Sequence, residues 1–151
     1  MLHPDLKEFV ALLISHQVDF LVVGAHAVAF HGRPRYTGDL DILLRPSEVN
    51  ALQIMDVLRA FGFGAFAISA SDFTTPERVV QLGKEPNRID LVTSITGVTF
   101  EEAWAGRVSG ELAGLKVWFP SKADLIRNKR ATGREKDLID LGFLQKVNDN
   151  P

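Results

Sequence analysis

The segment from Thr37 to Leu44, Thr-Gly-Asp-Leu-Asp-Ile-Leu-Leu, sets two carboxylates two residues apart in a run that otherwise has the composition of a buried strand. Successive side chains of a strand point to opposite faces, so Asp39 and Asp41 are expected to project together, with Cα atoms roughly 7 Å apart. The alternate residues Leu40 and Ile42 then face a hydrophobic core. The segment therefore predicts a strand that is apolar on one face and carries paired acids on the other.

Two carboxylates held this close oppose each other's ionisation, and a shared proton or a divalent cation relieves the repulsion. Mg²⁺ takes oxygen ligands and is commonly held by one or two carboxylates together with substrate phosphates. A surface strand with two solvated acids is the alternative interpretation, because Asp-x-Asp is a short motif that requires structural support.

The residues upstream favour a site that holds phosphate. Phe20 to Gly24 has the composition of a short buried strand, and residues 25–32 are compatible with a helix, which predicts a strand, a tight turn and a short helix. A glycine at the turn lets backbone approach a ligand, and the amides that begin a helix suit a phosphate. Arg33 and Arg35 follow in a loop, where they are either phosphate ligands or solvated cations.

Asp90 interrupts a second apolar run, Asn87 to Ile95. A charge in a buried strand needs a basic partner, an accessible strand end or a metal ion. Arg88 lies on the same side of the predicted strand, so an ordinary salt bridge between the two side chains is the structural alternative to a catalytic role.

Gly24-Ala25, then Asp39-Leu40-Asp41-Ile42, then Asp90 on a later strand resembles the pattern of the DNA polymerase β superfamily of nucleotidyltransferases. The stretch from Val22 to Leu44 further resembles small bacterial nucleotidyltransferase-like proteins, whose relatives include the AbiEii-like toxins of type IV toxin–antitoxin systems. The tail is similar to the C-terminal helices of that toxin branch, in which a lysine and a later aspartate accompany the acidic triad. Residues 125–131 and 134–141 carry the similarity to these C-terminal helices.

The resemblance implies that Asp39, Asp41 and Asp90 are catalytic and bind two Mg²⁺ ions, with Mn²⁺ as a substitute. Metal ions in such sites stabilise the attacking and leaving oxygens of an in-line displacement at phosphorus, and Asp90 would orient or deprotonate the acceptor hydroxyl. The expected nucleotide-binding residues are Gly24, Ala25, Arg33, Arg35, Thr37, Lys129, Arg134 and Asp137. Ala25 departs from the family, which has glycine or serine at this position, so a hydroxyl contact to phosphate is absent.

The 151 residues, 46% of them hydrophobic and 24% charged, predict a single domain large enough to enclose a core. The expected fold is an α/β (α+β) nucleotidyltransferase fold, with a mixed central sheet flanked by helices. We divide the chain into an N-terminal helix at 1–17, an α/β core at 18–119 and C-terminal helices at 121–147. The chain has no signal-peptide pattern and no apolar run of the roughly 18 residues that a membrane span needs, which favours a cytoplasmic protein. The absence of cysteine excludes disulfides and thiolate metal sites and is neutral on the compartment.

Local patterns predict most of the remaining elements. Pro4 to His16 has the spacing of an amphipathic helix, and Ser47 is expected to cap a second helix that ends before Gly62. A strand at 78–82, a helix at 100–107 and a hairpin at 108–119 follow. Ser121 then has the pattern of an N-cap for the C-terminal helices.

Together with the acidic motif, the family resemblance implies an enzyme that moves an NMP group from an NTP to the hydroxyl of an RNA end or a protein, in the setting of a toxin–antitoxin pair. The alternative is a nucleotide-binding or partner-binding module with weak or no catalysis, similar to an antitoxin. A net charge of −2 argues against broad electrostatic binding of nucleic acid, although cations are concentrated between Lys122 and Lys136.

Overall fold

The computed structural model describes residues 2–32, 38–63, 67–84 and 87–148. The helices and strands follow in the order α1 (Pro4–Ser15), β1 (Phe20–Val23), α2 (Gly24–Phe30), β2 (Leu40–Leu44), α3 (Glu48–Phe61), a short 3₁₀ helix (Ala70–Phe73), β3 (Val79–Leu82), β4 (Ile89–Val92), α4 (Phe100–Ala105), β5 (Val108–Leu112), β6 (Leu115–Phe119), α5 (Lys122–Thr132) and α6 (Glu135–Asn148).

Four of the strands form a mixed sheet in the order β1-β2-β4-β3. The central pair, β2 and β4, is parallel, and both outer pairs are antiparallel. The strands β5 and β6 form a separate antiparallel hairpin. The predicted fold class, a mixed sheet flanked by helices, is confirmed.

The two faces of the sheet are buried to different extents. Leu40, Ile42 and Leu44 point into the main core and are fully buried, as the alternation predicted. The opposite face carries a smaller apolar cluster, which Leu43 joins and which α4 covers with Phe100. Asp41 shares this second face because its side chain alternates with those of Leu40 and Ile42. The acids therefore project from the face of the sheet that carries the smaller apolar cluster.

The predicted helix caps are confirmed at both positions. The Ser47 hydroxyl accepts a hydrogen bond from the Asn50 amide at the start of α3, and Gly62 ends that helix in the left-handed conformation. Ser121 caps α5 in the same way. One local prediction was wrong, because no separate turn divides β1 from α2; Gly24 itself is the first residue of the helix. Within the described ranges, no helix combines the length and the apolar composition that crossing a bilayer requires.

Candidate active site

Asp41 and Asp90 lie side by side on the two parallel strands, as direct partners in the register of β2 and β4. Neighbouring strands are less than about 5 Å apart, so a one-residue match in register brings the two carboxylates together on one face. Asp39 lies just before β2, where one of its carboxylate oxygens accepts a hydrogen bond from the Arg88 amide at 3.0 Å. The neighbouring acids Asp39 and Asp41 thus meet Asp90, from a distant part of the sequence, on the central strand pair.

The Asp41 carboxylate carries the least compensated charge of this group. Burial, together with the negative charges of Asp90 and Asp39, raises the pKa of Asp41 from 3.8 to about 6, and the positive charge of Arg88 opposes the shift only in part. A hydrogen bond between the Asp41 and Asp90 side chains also favours the protonated form. A cation at this position would remove the repulsion that holds the proton there.

Arg88 forms a fork on Asp90. Its Nε donates to one carboxylate oxygen at 2.8 Å and a terminal nitrogen donates to the other at 3.1 Å. The same guanidinium lies 3.8 Å from the carboxylate of Asp39. The salt bridge that the sequence left open as an alternative for Asp90 is therefore present, and it engages two of the three acids.

Gly24 closes the site from the side of β1 and α2. Its φ of +67° is one that L side chains rarely adopt, and a Cβ built on it would lie 2.0 Å from a carboxylate oxygen of Asp41. No ordinary side chain fits in that space. The absence of a Cβ is thus what allows the start of α2 to lie directly against the Asp41 carboxylate.

His26, in the first turn of α2, faces the same region. Its Nε2 atom is buried and has no hydrogen-bond partner among the described residues. Burial lowers the pKa of His26, although a hydrogen bond to the Asp39 backbone works in the opposite direction. His26 is not among the predicted site residues, and its place beside Asp39 follows from the packing of α2 on β2.

An open cleft of about 1260 Å³ contains the acids and is also lined by residues of the C-terminal helices. Gly24, Ala25 and the three aspartates form one part of its lining, the acidic wall. Polar side chains from the end of α5 and from around the start of α6 form another part, the basic wall, namely Asn128, Lys129, Thr132, Arg134 and Lys136. The lining therefore combines carboxylates with cationic side chains, which suits a ligand with both metal-binding and phosphate groups.

Lys129 is held in the basic wall by two carboxylates of α6. Its ammonium lies 3.1 Å from an oxygen of Asp137 and 3.4 Å from one of Asp140. Arg134 reaches the other oxygen of Asp137 at 2.6 Å. Burial would raise the pKa of Asp137, but hydrogen bonds from Arg134, Thr132 and Lys129 outweigh it and hold that pKa well below its usual range.

The predicted site residues fall into three groups. Asp39, Asp41, Asp90, Gly24, Ala25, Lys129 and Arg134 all line the cleft. Asp137 was expected to contact nucleotide, yet its side chain is fully buried behind Lys129, where it positions that lysine and Arg134. Arg33, Arg35 and Thr37 lie outside the described residues.

The sequence analysis missed two parts of the cleft. The loop that follows β4, residues 93–99, contributes to its lining. Arg45, at the end of β2, lines the rim, pairs with Glu101 and Asp19, and lies over the ring of Phe100. The polar run Thr93-Ser94, directly after the apolar strand of Asp90, was the available signal, because ligands of such sheets bind beyond the carboxyl ends of parallel strands.

A family model described as "Nucleotidyltransferase of unknown function (DUF6036)" matches residues 4–147, nearly the whole chain. The chain belongs to this nucleotidyltransferase family. The match spans both walls of the cleft, from the start of α1 to the end of α6. The comparison with functionally curated proteins found no match.

Solved structures share the nucleotidyltransferase fold over almost the full length. TM1012 from Thermotoga maritima, a proposed nucleotidyltransferase, is 17% identical over 100% of this chain and 97% of its own, with a TM-score of 0.57. The lincosamide antibiotic adenylyltransferase LnuA, bound to lincomycin, is 13% identical over 95% of this chain and 96% of its own, with a TM-score of 0.56. The antibiotic-resistance factor ANT(2'')-Ia is 13% identical over 95% of this chain and 85% of its own, with a TM-score of 0.58.

The chemistry of the donor set fits a hard divalent cation. Asp41 and Asp90 offer oxygen ligands side by side, and the raised pKa of Asp41 shows that Arg88 compensates the Asp41 charge only in part. The missing Cβ of Gly24 leaves the space that the Asp41 carboxylate occupies. Arg88 holds Asp39 and Asp90, and among the described residues no three His, Cys, Asp or Glu side chains are arranged as a complete ligand set. Asp41 is therefore the acid best suited to a metal as it stands, and a cation that also binds Asp39 and Asp90 has to compete with Arg88 for their oxygens.

Proposed function

We propose that this nucleotidyltransferase moves an NMP group from an NTP to a hydroxyl acceptor with the help of Mg²⁺, or of Mn²⁺ in its place. The proposal rests mainly on one observation, the placement of Asp41 beside Asp90 on parallel strands, directly against the Cβ-free Gly24. A carboxylate pair in which the charge of Asp41 is compensated only in part is poorly suited to a purely structural role. It is well suited to a site that takes up a cation together with its phosphate ligand.

The bound metal would neutralise phosphate charge and stabilise the oxygens exchanged at phosphorus. The protein side chains have separate tasks. Asp39, Asp41 and Asp90 would hold the cation, and Lys129 and Arg134 of the basic wall would bind the triphosphate. Because transfers of this kind depend on positioning and electrostatic stabilisation, the basic wall matters as much as the acidic one.

The step itself exchanges one phosphorus–oxygen bond for another. The acceptor oxygen bonds to the α-phosphorus, the bond from that phosphorus to the β-phosphate oxygen breaks, and pyrophosphate leaves. Asp90, which lines the cleft beside Asp41, takes the proton of the acceptor hydroxyl. Arg88, paired with Asp90, orients the carboxylate for this task.

The cleft is larger than a nucleotide requires. Sites for small molecules typically enclose about 300 to 1,000 Å³, and the cleft measures about 1260 Å³. The remaining space, toward the rim at Arg45 and residues 93–99, would receive the acceptor. One structural neighbour is a lincosamide antibiotic adenylyltransferase and another is an antibiotic-resistance factor, and the first of these supports AMP as the transferred group. The resemblance to type IV toxins supports an RNA end or a protein hydroxyl as the acceptor. It also supports a toxin–antitoxin pair as the setting in which the protein acts.

Arg88 favours a second candidate function, a nucleotide-binding or partner-binding module with little catalysis. Its guanidinium already compensates Asp39 and Asp90 without a metal. Ala25 also lacks the hydroxyl that serine would offer to a phosphate. In such a module the protein would act through a cognate toxin or antitoxin protein.

Calorimetric titration with each of the four NTPs, with Mg²⁺ and with EDTA, tests the proposal. We expect one NTP to bind at least ten-fold more tightly with Mg²⁺, and Asp41→Asn to abolish that difference. Asp56→Asn is the matched control, because Asp56 is an exposed aspartate of α3 paired with Arg59. Release of pyrophosphate in the presence of RNA or protein acceptors then separates the enzyme from the module. NTP affinity that is unchanged both by removal of Mg²⁺ and by Asp41→Asn would refute the metal site.

A further inference from the structure

Helix α6 has a buried inner face and an outer face with exposed apolar side chains. Its inner face holds the buried residues Asp137, Asp140 and Leu144, which pack toward α5 and the core. On the outer face Leu138 is 52% exposed, Ile139 50% and Phe143 47%. Together with Gly142 and Lys146, these side chains line a shallow groove of about 270 Å³. A stripe of large apolar side chains exposed to this degree on one helix is a typical site of association.

The outer face of α6 is complementary to itself when two copies run antiparallel. With a two-fold axis crossing the helix between Asp140 and Leu141, Leu138 of one copy faces Phe143 of the other, and Ile139 faces Gly142. Glu135 then faces Lys146 at each end of the contact. A two-fold interface requires this kind of reciprocal match, in which one patch serves both subunits.

The charges and the glycine both support this arrangement. The ion pairs of α6 in the described part of the chain all involve Asp137 or Asp140, so the charges of Glu135 and Lys146 remain available for a partner. A Cβ built on Gly142 would meet nothing within 4 Å, which leaves open space where the facing Ile139 would insert. Small residues at a crossing point let helix axes approach to about 8 Å.

We infer that the protein forms a two-fold dimer through antiparallel packing of α6 against α6 of a second copy. The dimer would fix the helix whose inner face holds Lys129 in the cleft. The contact surface lies on the side of α6 opposite Asp137, so it leaves the cleft open.

Sedimentation velocity of the full chain over a range of concentrations measures the association. We expect a dimer for the wild type and a monomer for Leu138→Glu. Leu52→Glu is the matched control, because Leu52 is a 62% exposed leucine on α3, and this variant should remain a dimer. A wild type that stays monomeric, or a Leu138→Glu variant that remains fully dimeric, would overturn the inference, the first result pointing to a different protein as the occupant of the groove.

Charge reversal tests the register independently of folding. Glu135→Lys and Lys146→Glu should each raise the dimer dissociation constant about ten-fold, and the double variant should return it to the wild-type range. The chain contains no cysteine, so engineered thiols report without background. A mixture of the Ile139→Cys and Gly142→Cys proteins should form an intermolecular disulfide, whereas Leu52→Cys mixed with either should not. Two outcomes would overturn the antiparallel register. One is a double charge variant whose dimer is weakened by both single effects added together, and the other is the absence of a disulfide between the Ile139→Cys and Gly142→Cys proteins.

Discussion

Asp41 on the acidic wall of the cleft and Asp137 behind the basic wall are both carboxylates withdrawn from water, yet their pKa values move in opposite directions. Burial and neighbouring acids raise the pKa of Asp41 to about 6. At Asp137, hydrogen bonds from Arg134, Thr132 and Lys129 overcome the effect of burial and lower the pKa. The difference is whether the compensating charge comes from the protein itself. A carboxylate that the chain compensates supports the fold, and one that it leaves exposed to repulsion is suited to an external cation.

The two aspartates should therefore respond oppositely to pH in the metal-free protein. The stabilisation from Asp137 is present above its unfolded pKa, near 3.8, and is lost as the pH falls below that value. For Asp41 the favourable state is the protonated one, so its contribution is present at low pH and is lost as the pH rises from about 4 through about 6. Four substitutions test this contrast.

Asp137→Asn should produce the largest effect, a loss of about 3 to 5 kcal/mol in the free energy of unfolding. The substitution leaves Lys129 with one remaining carboxylate partner in a site where its residue is only 8% exposed. Urea unfolding at pH 7 measures the change. Asp56→Asn, which removes a surface ion pair, should cost less than about 1 kcal/mol. Equal losses in the two variants would contradict the role of Asp137 as an internal counter-charge.

Asp41→Asn should have the opposite sign in the absence of metal. A pKa raised by about two units corresponds to as much as about 3 kcal/mol of destabilisation at pH 8, which asparagine removes. Urea unfolding in EDTA at pH 8 and at pH 4 checks this. The variant should be more stable than the wild type at pH 8 and equal to it at pH 4. A variant that is destabilised at pH 8 would show that Asp41 is a structural carboxylate.

Gly24→Ala should abolish Mg²⁺-dependent nucleotide binding and destabilise the fold by about 1 to 3 kcal/mol. The added methyl cannot occupy the 2.0 Å gap to Asp41 unless that carboxylate is displaced. Gly62→Ala is the matched control, because Gly62 also has a positive φ but nothing lies within 4 Å of the position that its new methyl group would take. Titration with NTP and thermal unfolding of both variants separate backbone strain from loss of the site. Normal binding by Gly24→Ala would refute the close packing against Asp41.

Arg88→Gln should have the smallest effect. The substitution removes a positive charge that competes for Asp39 and Asp90, so the affinity of the nucleotide-free protein for Mg²⁺ should rise about five-fold, equivalent to roughly 1 kcal/mol. Calorimetric titration with MgCl₂ measures the change, and Arg59→Gln, which removes a surface partner of Asp56, is the control. An unchanged affinity would mean that Arg88 does not compete with the cation.

Patterns that depend on neighbouring residues were predicted well from the sequence. The alternation around Asp39 and Asp41 predicted which face of β2 enters the main core and which carries the acids, and Ser47 and Gly62 marked the ends of α3. These features reflect strand periodicity and backbone capping, which act over a few residues. The hairpin around Ala113 and Gly114 was predicted for the same reason.

Features that depend on distant pairing were not predictable in the same way. Whether Asp90 meets Asp41 depends on a parallel register between strands almost fifty residues apart. The burial of Asp137 depends on how α6 packs against α5, and a charged residue in a helix with exposed neighbours has the sequence pattern of a surface residue. The close contact of Gly24 with Asp41 is a property of three-dimensional packing, although the glycine itself was visible.

The position of Gly24 also bears on how an activity of this kind can be lost. Every other amino acid has a Cβ, so any missense mutation of codon 24 puts a carbon atom where the Asp41 carboxylate lies. One nucleotide change is enough, and it alters neither the acids nor the basic wall. A gene copy can thus retain every motif residue except this glycine and still encode a protein whose metal site is blocked, which makes codon 24 the first to inspect when related genes are sorted into active and silent forms.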